Sequence, residues 1–135
     1  MKKLLLLIPI AALILFAFTG CSGKTYSFKE PTEEIESIEI VSAESSLDYT
    51  VIKTLSETEK SDFLEQFQKI MFHKSWGDPV KVHGDAIKIT YQNGNYEMIC
   101  SYGAEYVENG VRWFIRKGCD ETAFNELLET FLQET

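Results

Sequence analysis

Two Asn-Gly pairs, Asn93-Gly94 and Asn109-Gly110, sit inside the stretch Gly84 to Lys117, GDAIKITYQNGNYEMICSYGAEYVENGVRWFIRK, and alternating apolar and polar residues flank each pair. Asn-Gly is the strongest short-range signal for a type I′ β-hairpin, because both central residues of that turn need φ > 0. Two such turns this close together make the stretch an antiparallel meander. Side chains on a strand alternate between faces. A two-residue loop at Asn93-Gly94 sets Tyr91 opposite Tyr96, Ile89 opposite Met98 and Ile87 opposite Cys100. The same loop at Asn109-Gly110 sets Glu108 opposite Val111, Tyr106 opposite Trp113 and Glu105 opposite Phe114. A three-residue connection, Tyr102-Gly103-Ala104, then places Cys100 opposite Tyr106 and collects Ile87, Ile89, Tyr91, Tyr96, Met98, Cys100, Tyr106, Val111, Trp113 and Ile115 on one apolar face. A two-residue connection would turn the second hairpin over and mix the faces. A single strand bent by a bulge at Gly103 is the competing topology. The register that keeps one face apolar is the expected one.

The rest of the chain supplies the partners for such a sheet. Ile35 to Val41, IESIEIV, alternates with Ile38 and Ile40 on one side, and Asp48 to Thr54, DYTVIKT, is a second strand paired with it across a turn at Ser42 to Leu47. Ser56 and Glu59 form a capping box. Behind it Phe63, Leu64, Phe67, Ile70 and Met71 recur at helical spacing, so a helix is expected to run to Met71 or Phe72. His73 to His83, HKSWGDPVKVH, carries Gly77, Asp78 and Pro79 and reads as a loop. Asp120 caps a last helix whose stripe is Phe124, Leu127, Leu128, Phe131 and Leu132, with Glu121 favoured by the dipole in its first turn. The order strand, strand, helix, strands, helix predicts an α+β two-layer sandwich: an antiparallel meander sheet with two amphipathic helices on one face.

The first residues do not belong to that domain. Lys2 and Lys3 precede an apolar run from Leu4 to Phe18, followed by Thr19-Gly20-Cys21. Basic, apolar, small is the layout of a secretory signal peptide. The run is shorter than the about 20 apolar residues a membrane span needs, and Pro9 interrupts it. The expected organisation is a signal peptide at 1–20, a polar tether at 21–34 and a single α+β domain at 35–135. Removing residues 1–20 takes away two lysines and no acids, so the formal charge goes from −8 to −10. That balance speaks against nucleic acid as a partner, and against docking onto anionic lipid through the protein surface.

Phe18-Thr19-Gly20-Cys21 resembles a bacterial lipobox, with Phe18 where Leu is usual. The resemblance implies cleavage before Cys21, a diacylglycerol on its sulfur and often an acyl group on its new amine. Two chains anchor stably where one is marginal. The expected place is therefore the cell membrane, lipid-anchored and facing outside the cytoplasm. Residues 49–132 resemble a group of small uncharacterised lipoproteins from Firmicutes, a domain-of-unknown-function family. The likeness is carried by the lipobox end, TLSETEKSDFLEQFQKI, FHKSWGDP, GDAIKITYQNGNYEMI and CDETAFNELLETFL. It implies a cell-surface lipoprotein and brings no activity, cofactor or catalytic residue.

Candidate chemistry is sparse. Cys100 and Cys119 are the two cysteines besides Cys21; outside the cytoplasm they invite a disulfide, and the other reading is two buried thiols acting as small apolar residues. Cys119 has Arg116 and Lys117 near it in sequence but no histidine to serve as a base. His73, Asp78 and His83 fall short of a zinc spacing and read as loop residues. Trp76 either stacks on a sugar or peptide or closes one end of the core. The acidic pairs Glu33-Glu34, Glu57-Glu59 and Asp120-Glu121 lie in the tether or at helix starts, where solvation and capping account for them. No catalytic residue, metal ligand or cofactor is expected. On the register above, Ile99, Val107 and Phe114 form an apolar spot on the face away from the helices, rimmed by Arg112, Arg116 and Glu105, unless the Ile38 hairpin or the tether covers it. The expectation is a non-enzymatic binding or accessory module with a protein or envelope-glycan partner at that face. The alternative is an inhibitor-like module that occludes an extracellular enzyme through the open face of the sheet.

Overall fold

Asn109 and Gly110 both sit at positive φ, 51° and 78°, so the second hairpin closes through the type I′ turn that its residues demand. Glu108 faces Val111, Tyr106 faces Trp113 and Glu105 faces Phe114, as expected. The computed structural model describes residues 23–75 and 80–133. The expected signal peptide and the residues Cys21, Trp76 and Asp78 lie outside them. In chain order the elements are β1 (Lys24–Thr25), a 3₁₀ turn (Thr32–Glu34), β2 (Ile35–Ser45), β3 (Asp48–Thr54), α1 (Glu57–Phe67), β4 (Met71–Lys74), β5 (Gly84–Tyr91), β6 (Tyr96–Cys100), β7 (Gly103–Glu108), β8 (Val111–Ile115), β9 (Lys117–Gly118) and α2 (Glu121–Gln133). Six strands form an antiparallel sheet in the order β3-β2-β5-β6-β7-β8; a second sheet, β1-β4-β9, has three.

The fold is an α+β two-layer sandwich. Phe63 and Phe67 of α1, with Phe124, Leu127, Leu128 and Phe131 of α2, pack on Ile38, Ile40, Ile87, Ile89, Tyr91 and Ile99 of the large sheet. Each such buried side chain contributes roughly 1.5–3 kcal/mol. Both helix starts are satisfied as expected. Ser56 Oγ accepts the Glu59 N–H at 3.3 Å while Glu59 Oε1 accepts the Ser56 N–H at 3.1 Å. Asp120 Oδ1 accepts the Thr122 N–H at 2.8 Å.

The first Asn-Gly pair takes a different turn. Gly94 has φ 90° but Asn93 is not at positive φ. The Tyr91 N–H donates to Asn95 O at 2.8 Å, and the Gly94 N–H to Tyr91 O at 2.9 Å. This is a three-residue loop, a type I turn closed by a left-handed glycine. It moves the register by one: Ile89 faces Glu97 and Ile87 faces Ile99. The next connection is two residues, Ser101-Tyr102, with Cys100 opposite Gly103 rather than Tyr106. The two departures from expectation cancel beyond β6, so β6 alone is turned over. Ile99 and Glu97 face the helices, while Met98 and Cys100 face away. That second face is covered as well: Val82 packs there with Val41, Ala43, Ala86, Met98 and Cys100. With apolar cover on both sides, keeping one face apolar does not select the register.

Two further expectations are corrected. Helix α1 stops at Phe67 and Met71–Lys74 is a strand. Continued as a helix, Phe72 would lie about 140° round from Phe67; as part of a strand it turns into the core between exposed neighbours. The segment expected as a tether is folded from Gly23 onward. Lys24 and Thr25 pair with Phe72 and Met71. Tyr26 is buried against Phe28, Phe67 and Phe72, with ring centroids 5.0–5.6 Å away.

Candidate interaction edge

Strand β8 is VRWFI, β-branched or aromatic at every position but Arg112, so it favours the extended state. It is last in the sheet order and, among the described residues, pairs on one side only, with β7. Ile115 packs partly buried against the core, but three of the strand's side chains stay outside it. Val111 (53%) and Trp113 (57%) are exposed on the helix side, and Phe114 (40%) on the other. The closing pair of a type I′ hairpin exchanges both backbone hydrogen bonds, and pairs alternate from there. The N–H groups of Val111, Trp113 and Ile115 therefore point to β7, and those of Arg112 and Phe114 point outward.

The expected apolar spot does not exist as drawn. Ile99 is fully buried on the helix side because β6 is turned over, and Val107 is buried too. Phe114 is exposed where expected. Arg112 turns back along the sheet, with its Nη1 3.8 Å from Glu105 Oε1. Arg116 lies past the end of β8, where its carbonyl accepts the Ser75 N–H at 3.0 Å.

Two buried carboxylates went unforeseen. Glu97 accepts from the Tyr26 hydroxyl at 2.9 Å, the Lys29 N–H at 3.1 Å and the Tyr91 hydroxyl. Burial holds its carboxyl above the ordinary value, and those three donors offset part of the rise. Glu105 accepts from Ser46 Oγ at 3.1 Å and the Val82 N–H at 2.9 Å. Each carboxylate pins a covering segment to the sheet, Glu97 the segment Tyr26 to Lys29 and Glu105 the segment before β5. They leave the sheet on opposite faces and form no catalytic pair. The available signal was an acid inside each of two runs that otherwise read as buried strand.

Of the two readings of Cys100 and Cys119, the bridge is not formed and both thiols are free. Cys100 faces away from the helices with Val82, whereas Cys119 packs against the helix-side core. Burial pushes the Cys100 thiol up and that of Cys119 to about 12, so neither is a ready thiolate nucleophile. His73 stands on β4, and His83, before β5, lies 3.7 Å from Glu44. Among the described residues no three His, Cys, Asp or Glu side chains are grouped to hold a metal ion. Among them also, no helix is long and apolar enough to cross a membrane. A groove of about 500 Å³ between α1 and α2 is lined by Asp62, Glu65, Lys69 and Glu126 and is open to solvent. No protein-family model, curated protein or solved structure matches the chain.

Proposed function

We propose that the chain is a lipid-anchored, non-enzymatic binding module, held outside the cytoplasm by acylated Cys21, that takes an extended segment of a partner protein along β8. The basic-apolar-TGC start and the likeness to small Firmicutes lipoproteins support the anchor. The observation that carries the binding reading is the edge itself: outward backbone groups at Arg112 and Phe114 beside exposed Val111, Trp113 and Phe114. An added strand takes affinity from such main-chain groups and specificity from alternate side chains. Soluble proteins blunt long apolar edges, so one kept exposed needs an occupant. Occlusion of an extracellular enzyme is the alternative, and the exposed end of the sheet face at Phe114 is the surface it would use.

The test replaces Trp113 by a photo-crosslinking residue in cells that make the protein. A trapped protein is expected, and its identity separates a binding partner from an inhibited enzyme. Phe114→Pro removes an outward N–H that β7 does not use, so it should abolish trapping at a nearly unchanged melting temperature. Trapping that survives Phe114→Pro excludes strand addition, and trapped glycan in place of protein overturns the choice of partner.

A further inference from the structure

A cleft of about 680 Å³ opens where β1, β4 and β9 meet the end of β8. Phe72 and Ile115 give it an apolar floor. Its rim carries Lys24, Lys74, Arg116 and Lys117, with His73 between them, and among the described residues no Asp or Glu lines it. The Lys117 ammonium lies over the Tyr26 ring, 5.4 Å from its centroid, and so is held at this end of the molecule. In a chain with 21 acids and 13 Lys and Arg, this surface has the opposite sign to the whole.

The same cleft is lined by Gly23, the first described residue. Gly23 sits at φ 87° and is pressed so closely on β4 that a Cβ there would lie 2.6 Å from His73 Cε1. Cys21 precedes it by two residues. Two residues of chain reach about 7 Å. A lipid on Cys21 therefore keeps this surface within about 7 Å of chain from the leaflet.

We propose that the cleft docks onto the anionic phospholipid headgroups of the leaflet that holds the Cys21 lipid, so that the body sits on the membrane in one orientation. The proposal rests on the anchor reading above. The net charge, −10 once residues 1–20 are removed, does not oppose it, because charges act on a surface only within a Debye length, about 10 Å at 0.1 M salt. A Lys or Arg near an anionic membrane contributes about fivefold in partition, so Lys24, Arg116 and Lys117 together contribute about a hundredfold.

The experiment uses the acylated protein purified from cells, reconstituted into vesicles of phosphatidylcholine alone or with about a third phosphatidylglycerol, and followed by amide hydrogen exchange. Slower exchange at Lys24–Thr25, Met71–Lys74 and Lys117–Gly118 is expected in the anionic vesicles only. The double variant Arg116→Glu/Lys117→Glu should lose that protection while keeping the exchange of β5 and β6. The mass of the same sample reports acylation. An unmodified Cys21 overturns the anchor and with it this orientation. A modified Cys21 with equal exchange in both vesicles overturns the docking alone. The same protection from millimolar inorganic phosphate in phosphatidylcholine vesicles would assign the cleft to a soluble anion and overturn the membrane assignment.

Discussion

Asn93 and Asn109 show how little a dipeptide fixes. Both precede glycine, yet Asn109 takes φ 51° and Asn93 does not. Asn93 is held by one contact no local pattern encodes, its Nδ2 donating to Glu30 Oε1 at 2.6 Å, beside a local Asx turn in which its Oδ1 accepts the Asn95 N–H at 2.9 Å. Gly94 is left-handed in either turn, so Gly94→Val should cost about 1–3 kcal/mol while Gln92→Ala stays near zero. Equal melting temperatures for the two variants would refute the strain. Glu97 carries a second expectation. Burial raises its carboxyl in the folded state, so the folded chain holds that proton more tightly than the unfolded chain does. The stabilising balance is present below the ordinary carboxylate range and is lost as pH rises through the raised folded value. Glu97→Gln removes the titration. The melting temperature of the wild type relative to Glu97→Gln should therefore climb as pH falls from 7 to 4, and a flat difference would show that Glu97 titrates normally.

At the scale of elements, the segment Lys24 to Tyr26 behaves as a strand with an aromatic plug. Tyr26 is buried at 5% exposure and its hydroxyl reaches Glu97. Tyr26→Ala should cost about 3–5 kcal/mol, the range for a buried aromatic cut to alanine, where a residue in a solvated tether would cost nothing. Chemical denaturation of the two proteins decides between them. The elements legible beforehand carry their own local signals. Strand β3 spans the same Asp48 to Thr54 that its residues predict, both helix starts follow from Ser56, Glu59 and Asp120, and β7 and β8 follow from Asn109-Gly110. Strands β1, β4 and β9 are two to four residues long and exist through pairings such as Lys24 with Phe72 and Lys74 with Lys117. No window of sequence contains both partners. The candidate edge was half legible for the same reason: Phe114 lies in the locally encoded hairpin, whereas Ile99 depended on a turn decided by Glu30.

For the whole molecule, the arrangement of charge matters more than its sum. The basic cleft gathers four of the Lys and Arg side chains at the end next to Gly23, while the groove between the helices carries Asp62, Glu65 and Glu126. A protein polarised in this way and lipidated at Cys21 would hold the membrane by two attachments of different physics. Buried acyl chain contributes about 0.8 kcal/mol per CH₂ and does not respond to salt. Headgroup contacts are screened once the Debye length falls to about 3 Å at 1 M salt. Washing membranes with 1 M NaCl should therefore leave the wild type in the pellet, and Arg116→Glu/Lys117→Glu should stay there too, because the lipid alone suffices. Cys21→Ala should appear in the medium or persist as the unprocessed, longer chain, and any mature-length protein left on membranes should wash off in salt. Fractionation by immunoblot reads all three. A mature-length Cys21→Ala protein that resists the salt wash would show that something other than the cysteine holds this chain to the membrane.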